Sequence, residues 1–166
     1  MTTKKLTVSA LLVALAMILS YVEVMIPFNF GIPGVKLGLA NLVVVTALYL
    51  LGFRQALLIS VVRMILIAFT FGSLAALIYS MAGGILSLLV MALLSKIKGF
   101  SVIGVSTAGG VSHNVGQLLA AMIVVENLNL IFYVPFLVIA GVITGILIGI
   151  AAKMIIPSVK KVLGQK

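Results

Sequence analysis

Long apolar runs, broken by short polar or glycine-rich stretches, fill the chain. They predict helices over about 6–22, 36–52, 55–71, 74–94, 102–125 and 130–156. Most approach the ~20 apolar residues that cross a bilayer as a helix. Strand-like alternation of polar and apolar positions is absent, which argues against a transmembrane β-barrel. Pro27-Phe-Asn-Phe-Gly-Ile-Pro-Gly34 holds two prolines and two glycines in eight residues and reads as a loop. Phe71-Gly-Ser73 reads as a short turn, and Glu126-Asn-Leu-Asn129 as a loop. Pro157 to Lys166 reads as a basic tail.

A basic start followed by an apolar run also describes a signal peptide. Here Ala14-Leu-Ala16 lies inside the run and equally apolar sequence follows, so a first transmembrane helix is the better reading. The expected fold is an all-α integral membrane protein, one membrane domain over residues 1–166 with six transmembrane helices.

Composition agrees. Of the 166 residues, 64% are hydrophobic and 8% charged, against roughly 45–50% apolar and about 25% charged in soluble domains. The net charge of +9 raises nucleic acid as a partner, but the placement of the cations favours a membrane. With both termini on one side, that side holds Lys4, Lys5, Arg54, Lys96, Lys98, Lys153, Lys160, Lys161 and Lys166. The other holds Lys36 with Glu23 and Glu126. By the positive-inside bias both termini are expected in the cytoplasm, at the cell membrane, with lipid and not nucleic acid around the chain.

The inventory for catalysis is poor. The chain has no Cys and no Asp, one His and two acids. Thiolate chemistry and Cys-based metal sites are excluded, and paired acids and bases are scarce. No metal or cofactor is expected.

Polar groups within the apolar runs carry the functional signal. Arg63 falls near the middle of the third helix, where a cation costs about 2.5–3.5 kcal/mol on insertion scales. It needs a structural counter-charge or a bound anion. In the fifth helix Ser106, Gly110, His113 and Gln117 share one stripe, with Asn114 beside it. Small residues there permit close helix contact, and polar ones can bond between helices. That explains the glycines better than it explains His, Asn and Gln within five residues. Arg63, His113, Asn114 and Gln117 are therefore expected to line one substrate cavity, with Lys36 and Asn41 nearer its mouth. Lys36 has the alternative of snorkelling to headgroups. Glu23 and Glu126 are expected at the rim. Ala10 and Ala14 form a small-xxx-small pair on the first helix, and Gly145 and Gly149 a similar pair on the sixth.

Four stretches carry a family resemblance: Pro33-Gly-Val-Lys-Leu-Gly-Leu-Ala-Asn41, Arg63, Ser80-Met-Ala-Gly-Gly-Ile-Leu-Ser87 and Ser112-His-Asn-Val-Gly-Gln117. They resemble membrane proteins labelled heptaprenyl diphosphate synthase component I, also called the Gx transporter family. More broadly, the plan resembles substrate-binding S components of energy-coupling factor (ECF) transporters. That resemblance implies an S-component-like bundle whose first-helix Ala-x-x-x-Ala, matched by Ala10 and Ala14, contacts a T subunit coupled to ATPase subunits. Prenyl diphosphate synthases use Asp-rich motifs to hold magnesium and diphosphate, and magnesium prefers oxygen ligands. A chain without Asp is not expected to be that enzyme. It also has no Gly-x-x-x-x-Gly-Lys-Ser/Thr loop for ATP. The expected function is substrate binding for uptake of a small anionic or amphiphilic molecule. The alternative is a non-catalytic accessory subunit for heptaprenyl diphosphate or quinone synthesis. A channel or scaffold without a dedicated ligand is the third possibility.

Overall fold

The computed structural model describes residues 3–25, 38–70 and 72–164. They form six α-helices: α1 (Thr3–Met25), α2 (Leu39–Leu51), α3 (Phe53–Thr70), α4 (Leu74–Leu94), α5 (Val102–Val124) and α6 (Val134–Leu163). A 3₁₀ helix, Leu128–Tyr133, precedes α6. No strand occurs among the described residues. Lys36 and the loop expected at 27–34 lie outside them.

Local chemistry sets most boundaries. Gly52, at φ 86°, separates α2 from α3 in a single residue; that left-handed conformation favours glycine. Ser73 caps α4 by accepting from the Ala76 N–H at 3.2 Å, and Ser101 caps α5 by accepting from the Gly104 N–H at 3.1 Å.

The sixth helix differs from expectation at both ends. Pro135 sits in the first turn of α6, where its missing N–H is harmless, and the chain before it is 3₁₀ helix rather than α-helix. At the other end α6 runs through Pro157 to Leu163, where a tail was expected. Tertiary packing outweighs the proline: Ile156 is core, and Val159 and Leu163 pack against it. Lys160 and Lys161 lie in the last turn, favourable to the helix dipole, and Gly164 closes it at φ 67°.

Among the described residues, four segments are long and apolar enough to cross a membrane singly: Leu6–Glu23, Phe53–Thr70, Leu74–Leu94 and Leu128–Lys161. This narrows the expectation of six such helices. Helix α5 has 23 residues but carries the polar stripe through its centre. Helix α2 has 13 residues, about 20 Å at 1.5 Å per residue. It is buried on nearly all sides, from Val43 to Leu48 without a break, as an apolar helix inside a bundle should be. Large apolar side chains face outward around the rest: Leu11, Ile18, Phe69, Ile123, Phe136 and Leu147 are all exposed. The outside is apolar and the polar groups lie inside, as in a membrane protein.

Helix α2 packs against α1, α3 and α6, while α3 meets α4 and α4 meets α5. Glycines fix the register of α4, α5 and α6. A Cβ on Gly83 would come 2.5 Å from the His113 carbonyl, and one on Gly110 would come 2.5 Å from the Gly141 carbonyl. One on Gly145 would lie 2.6 Å from the Thr107 Cα, and one on Gly149 2.7 Å from the Ile103 Cα. Residue numbers rise on one helix as they fall on the next, so these helices are antiparallel. The glycine pair of α6 thus serves helix contact, as its spacing predicts.

The apolar core occupies one half of the bundle. It includes Val43–Val45, Ala47, Leu48, Leu50, Ala56, Ile59, Leu88, Met91, Val105, Ile148, Ala152 and Ile156. These lie toward the end of the chain fold that carries Arg54, Lys96 and Lys98. The opposite half contains a cavity.

Candidate functional site

The cavity measures about 350 Å³ and receives residues from all six helices. Ligand sites typically occupy 300–1,000 Å³. Its floor is the apolar core, through Met91 and Ile148; Glu23, Gly38 and Gly72 line it toward the other end.

Arg63, the eleventh of eighteen residues in α3, is 8% exposed. Its Nη1 donates to Ser20 Oγ on α1 at 3.4 Å. Its Nε has no hydrogen-bond partner among the described residues. A buried guanidinium with a serine hydroxyl as partner is incompletely satisfied, and a planar fork of five donors suits a carboxylate or phosphate.

Glu23 is one turn beyond Ser20 on the same face of α1 and also lines the cavity. Its Oε1 accepts the Gly38 N–H at 2.6 Å. Gly38, at φ 71°, precedes α2; the carboxylate ties the end of α1 to the beginning of α2. Glu23 was expected at a rim, and the structure gives it a share in the cavity wall. Glu126 lies instead in the exposed turn after α5.

The stripe on α5 faces the same space: Ser106, Gly110, His113, Asn114 and Gln117 all line it. Asn114 has a second role. It is 7% exposed, and its Nδ2 donates to the Leu137 carbonyl at 2.9 Å, joining α5 to α6. Its amide is thus partly committed to the fold. Asn41, near the beginning of α2, lines the cavity too.

Arg63, His113, Asn114, Gln117 and Asn41 are therefore brought to one cavity. Ala10 and Ala14 are elsewhere: both are exposed on α1, while Ser9, Ala16 and Ser20 of that helix are buried.

Sequence reasoning missed Ser20, Ser80, Ser87 and Thr144 as lining residues. Ser80, Gly83, Gly84 and Ser87 form a helical stripe of small and polar residues, a signal that was legible. Ser20 gave none, because a lone serine in an apolar run reads as tolerated.

The sequence profile described as heptaprenyl diphosphate synthase component I matches residues 12–155. No curated protein and no solved structure matches the chain. The match spans most of the bundle and all of the cavity-lining stretches of α2 to α5, so the chain belongs to the heptaprenyl diphosphate synthase component I family.

Proposed function

We propose that this protein is the substrate-binding S component of an ECF-type uptake transporter in the cell membrane. It binds a small anionic or amphiphilic molecule and works with a T subunit and ATPase subunits. One observation carries the reading: Arg63, buried at mid-helix with Nε unpartnered among the described residues, borders a cavity that all six helices build. Buried charge is retained at a cost and marks function in membrane segments. The floor of apolar core favours a one-sided receptor over an open channel. Exposed Ala10 and Ala14 leave a small-residue face on α1 for a partner helix. The chain itself is read as non-catalytic. With no Asp and two Glu, it lacks the carboxylates that a magnesium–diphosphate centre needs.

The test is copurification. The chain is coexpressed with T and ATPase subunits, extracted gently, and studied by native mass spectrometry for bound subunits and a retained small molecule. A stable complex with a retained molecule supports the reading. A chain that binds neither overturns it.

The family description favours a second reading, an accessory membrane subunit of prenyl diphosphate or quinone synthesis. It requires copurification with a prenyl diphosphate synthase and a change in that enzyme's activity.

A further inference from the structure

We infer that the cavity selects an amphoteric molecule, one that carries a carboxylate for Arg63 and an ammonium group for Glu23. This rests on the reading above that the cavity binds a small molecule, and it puts an amphoteric molecule in place of a simple anion.

Among the described lining residues, Arg63 is the one Lys or Arg and Glu23 the one carboxylate. At about 350 Å³ the cavity is at the small end of ligand sites, and a molecule that fills it meets both. Among these described residues the two charges cancel, so a ligand that carries one group of each sign leaves them balanced. A simple anion satisfies Arg63 and then faces Glu23, which is partly buried, with like charge. A simple cation has the same difficulty with Arg63.

Capacity agrees with charge. Glu23 Oε1 already accepts the Gly38 N–H, but a carboxylate has about four acceptor positions. An ammonium group with three donors can use those that remain. Arg63 spends Nη1 on Ser20, and Nε has no partner among the described residues. Because Ser20 and Glu23 are three residues apart on one helix, the hydroxyl that holds Arg63 and the carboxylate share a face of α1. Asn41 and Gln117 add amide donors and acceptors to the wall, which suits the polar body of a small metabolite.

The experiment measures stabilisation of the detergent-purified full chain by three pools. The first contains α- and ω-amino acids, the second their N-acetyl derivatives, and the third their amides. The first pool is expected to bind at least tenfold more tightly than either other pool. Glu23→Gln keeps an acceptor for Gly38 and is expected to bring amino acids and N-acetyl derivatives within about threefold of each other. Arg63→Gln is expected to abolish binding of both. If N-acetyl derivatives bind the wild-type chain as well as amino acids do, the amphoteric class is wrong and the ligand-binding reading stands. If no pool binds, native mass spectrometry of the same sample decides. A retained molecule with both groups supports the inference, and one without an amine overturns it alone. Absence of any retained molecule overturns both readings.

Discussion

Arg63 on α3 donates through Nη1 to Ser20 Oγ on α1 at 3.4 Å. Among the described residues a neutral hydroxyl is the hydrogen-bond partner of this buried cation, and Glu23, one turn further along α1, is the nearby opposite charge. The pairing with Ser20 joins two helices at the cavity wall and leaves the guanidinium undersatisfied.

Replacing Arg63 separates a binding role from a structural one. Arg63→Met removes a costly buried charge and is expected to leave the melting temperature of the ligand-free protein unchanged or higher. Arg63→Lys keeps charge but loses the fork. Charged hydrogen bonds are worth about 1.5–3 kcal/mol, so ligand affinity should fall roughly 10- to 100-fold. Paired melting and binding measurements check this; a steep fall in melting temperature for Arg63→Met would mark the residue as structural.

Asn114 and Gln117 should behave differently although both line the cavity. Asn114→Leu leaves the Leu137 carbonyl without its partner, a loss of about 1–3 kcal/mol, visible as lower thermal stability. Gln117→Leu is expected to weaken binding and keep the melting temperature. Equal losses of stability in both variants would make Gln117 a helix-packing residue.

Glycine substitutions test the helix register. Gly110→Ala drives a methyl group onto the Gly141 carbonyl and should cost about 1–3 kcal/mol, as overpacking does. Gly104→Ala meets ordinary contact with the Phe100 and Ser101 side chains at 3.5 and 3.6 Å. It should gain about 0.5–1 kcal/mol from helix propensity. Chemical or thermal unfolding in detergent reads both, and a neutral Gly110→Ala would contradict the close α5–α6 approach.

The outward face of α1 gives a partner prediction. Ala10→Leu and Ala14→Leu are on an exposed surface, so folding and ligand binding by the isolated chain should persist. Association with a T subunit should be lost. Normal copurification of both variants would remove this face from coupling.

Sidedness is open to labelling because the chain has no native cysteine. Lys98→Cys and Lys160→Cys are expected to be protected from an impermeant thiol reagent in intact cells, and Asn127→Cys to react. Labelling of Lys98→Cys from outside would reverse the orientation.

The sequence by itself determined the helical class, the long apolar runs that suit a membrane, and several of the polar positions that line the cavity. Long apolar runs admit few alternatives when backbone groups must bond within their own segment. Buried polar groups are costly enough for Arg63 and the His113–Gln117 cluster to stand out one residue at a time. That α6 makes a close helix contact was also legible, because Gly145 and Gly149 leave a groove at helical spacing, but that α5 fills it was not. Tertiary structure alone decided the rest. Helix α2 reads like its neighbours in sequence, yet it is the short, enclosed centre of the bundle, since hydropathy does not distinguish lipid from protein as surroundings. Helix α6 continues past Pro157 because Ile156, Val159 and Leu163 find the core, a gain no local propensity records. Ser20 and Glu23 join the cavity wall because α1 lies against α3 and the beginning of α2. Which polar side chain meets which depends on contacts between helices distant in sequence, and no periodicity within one helix encodes that.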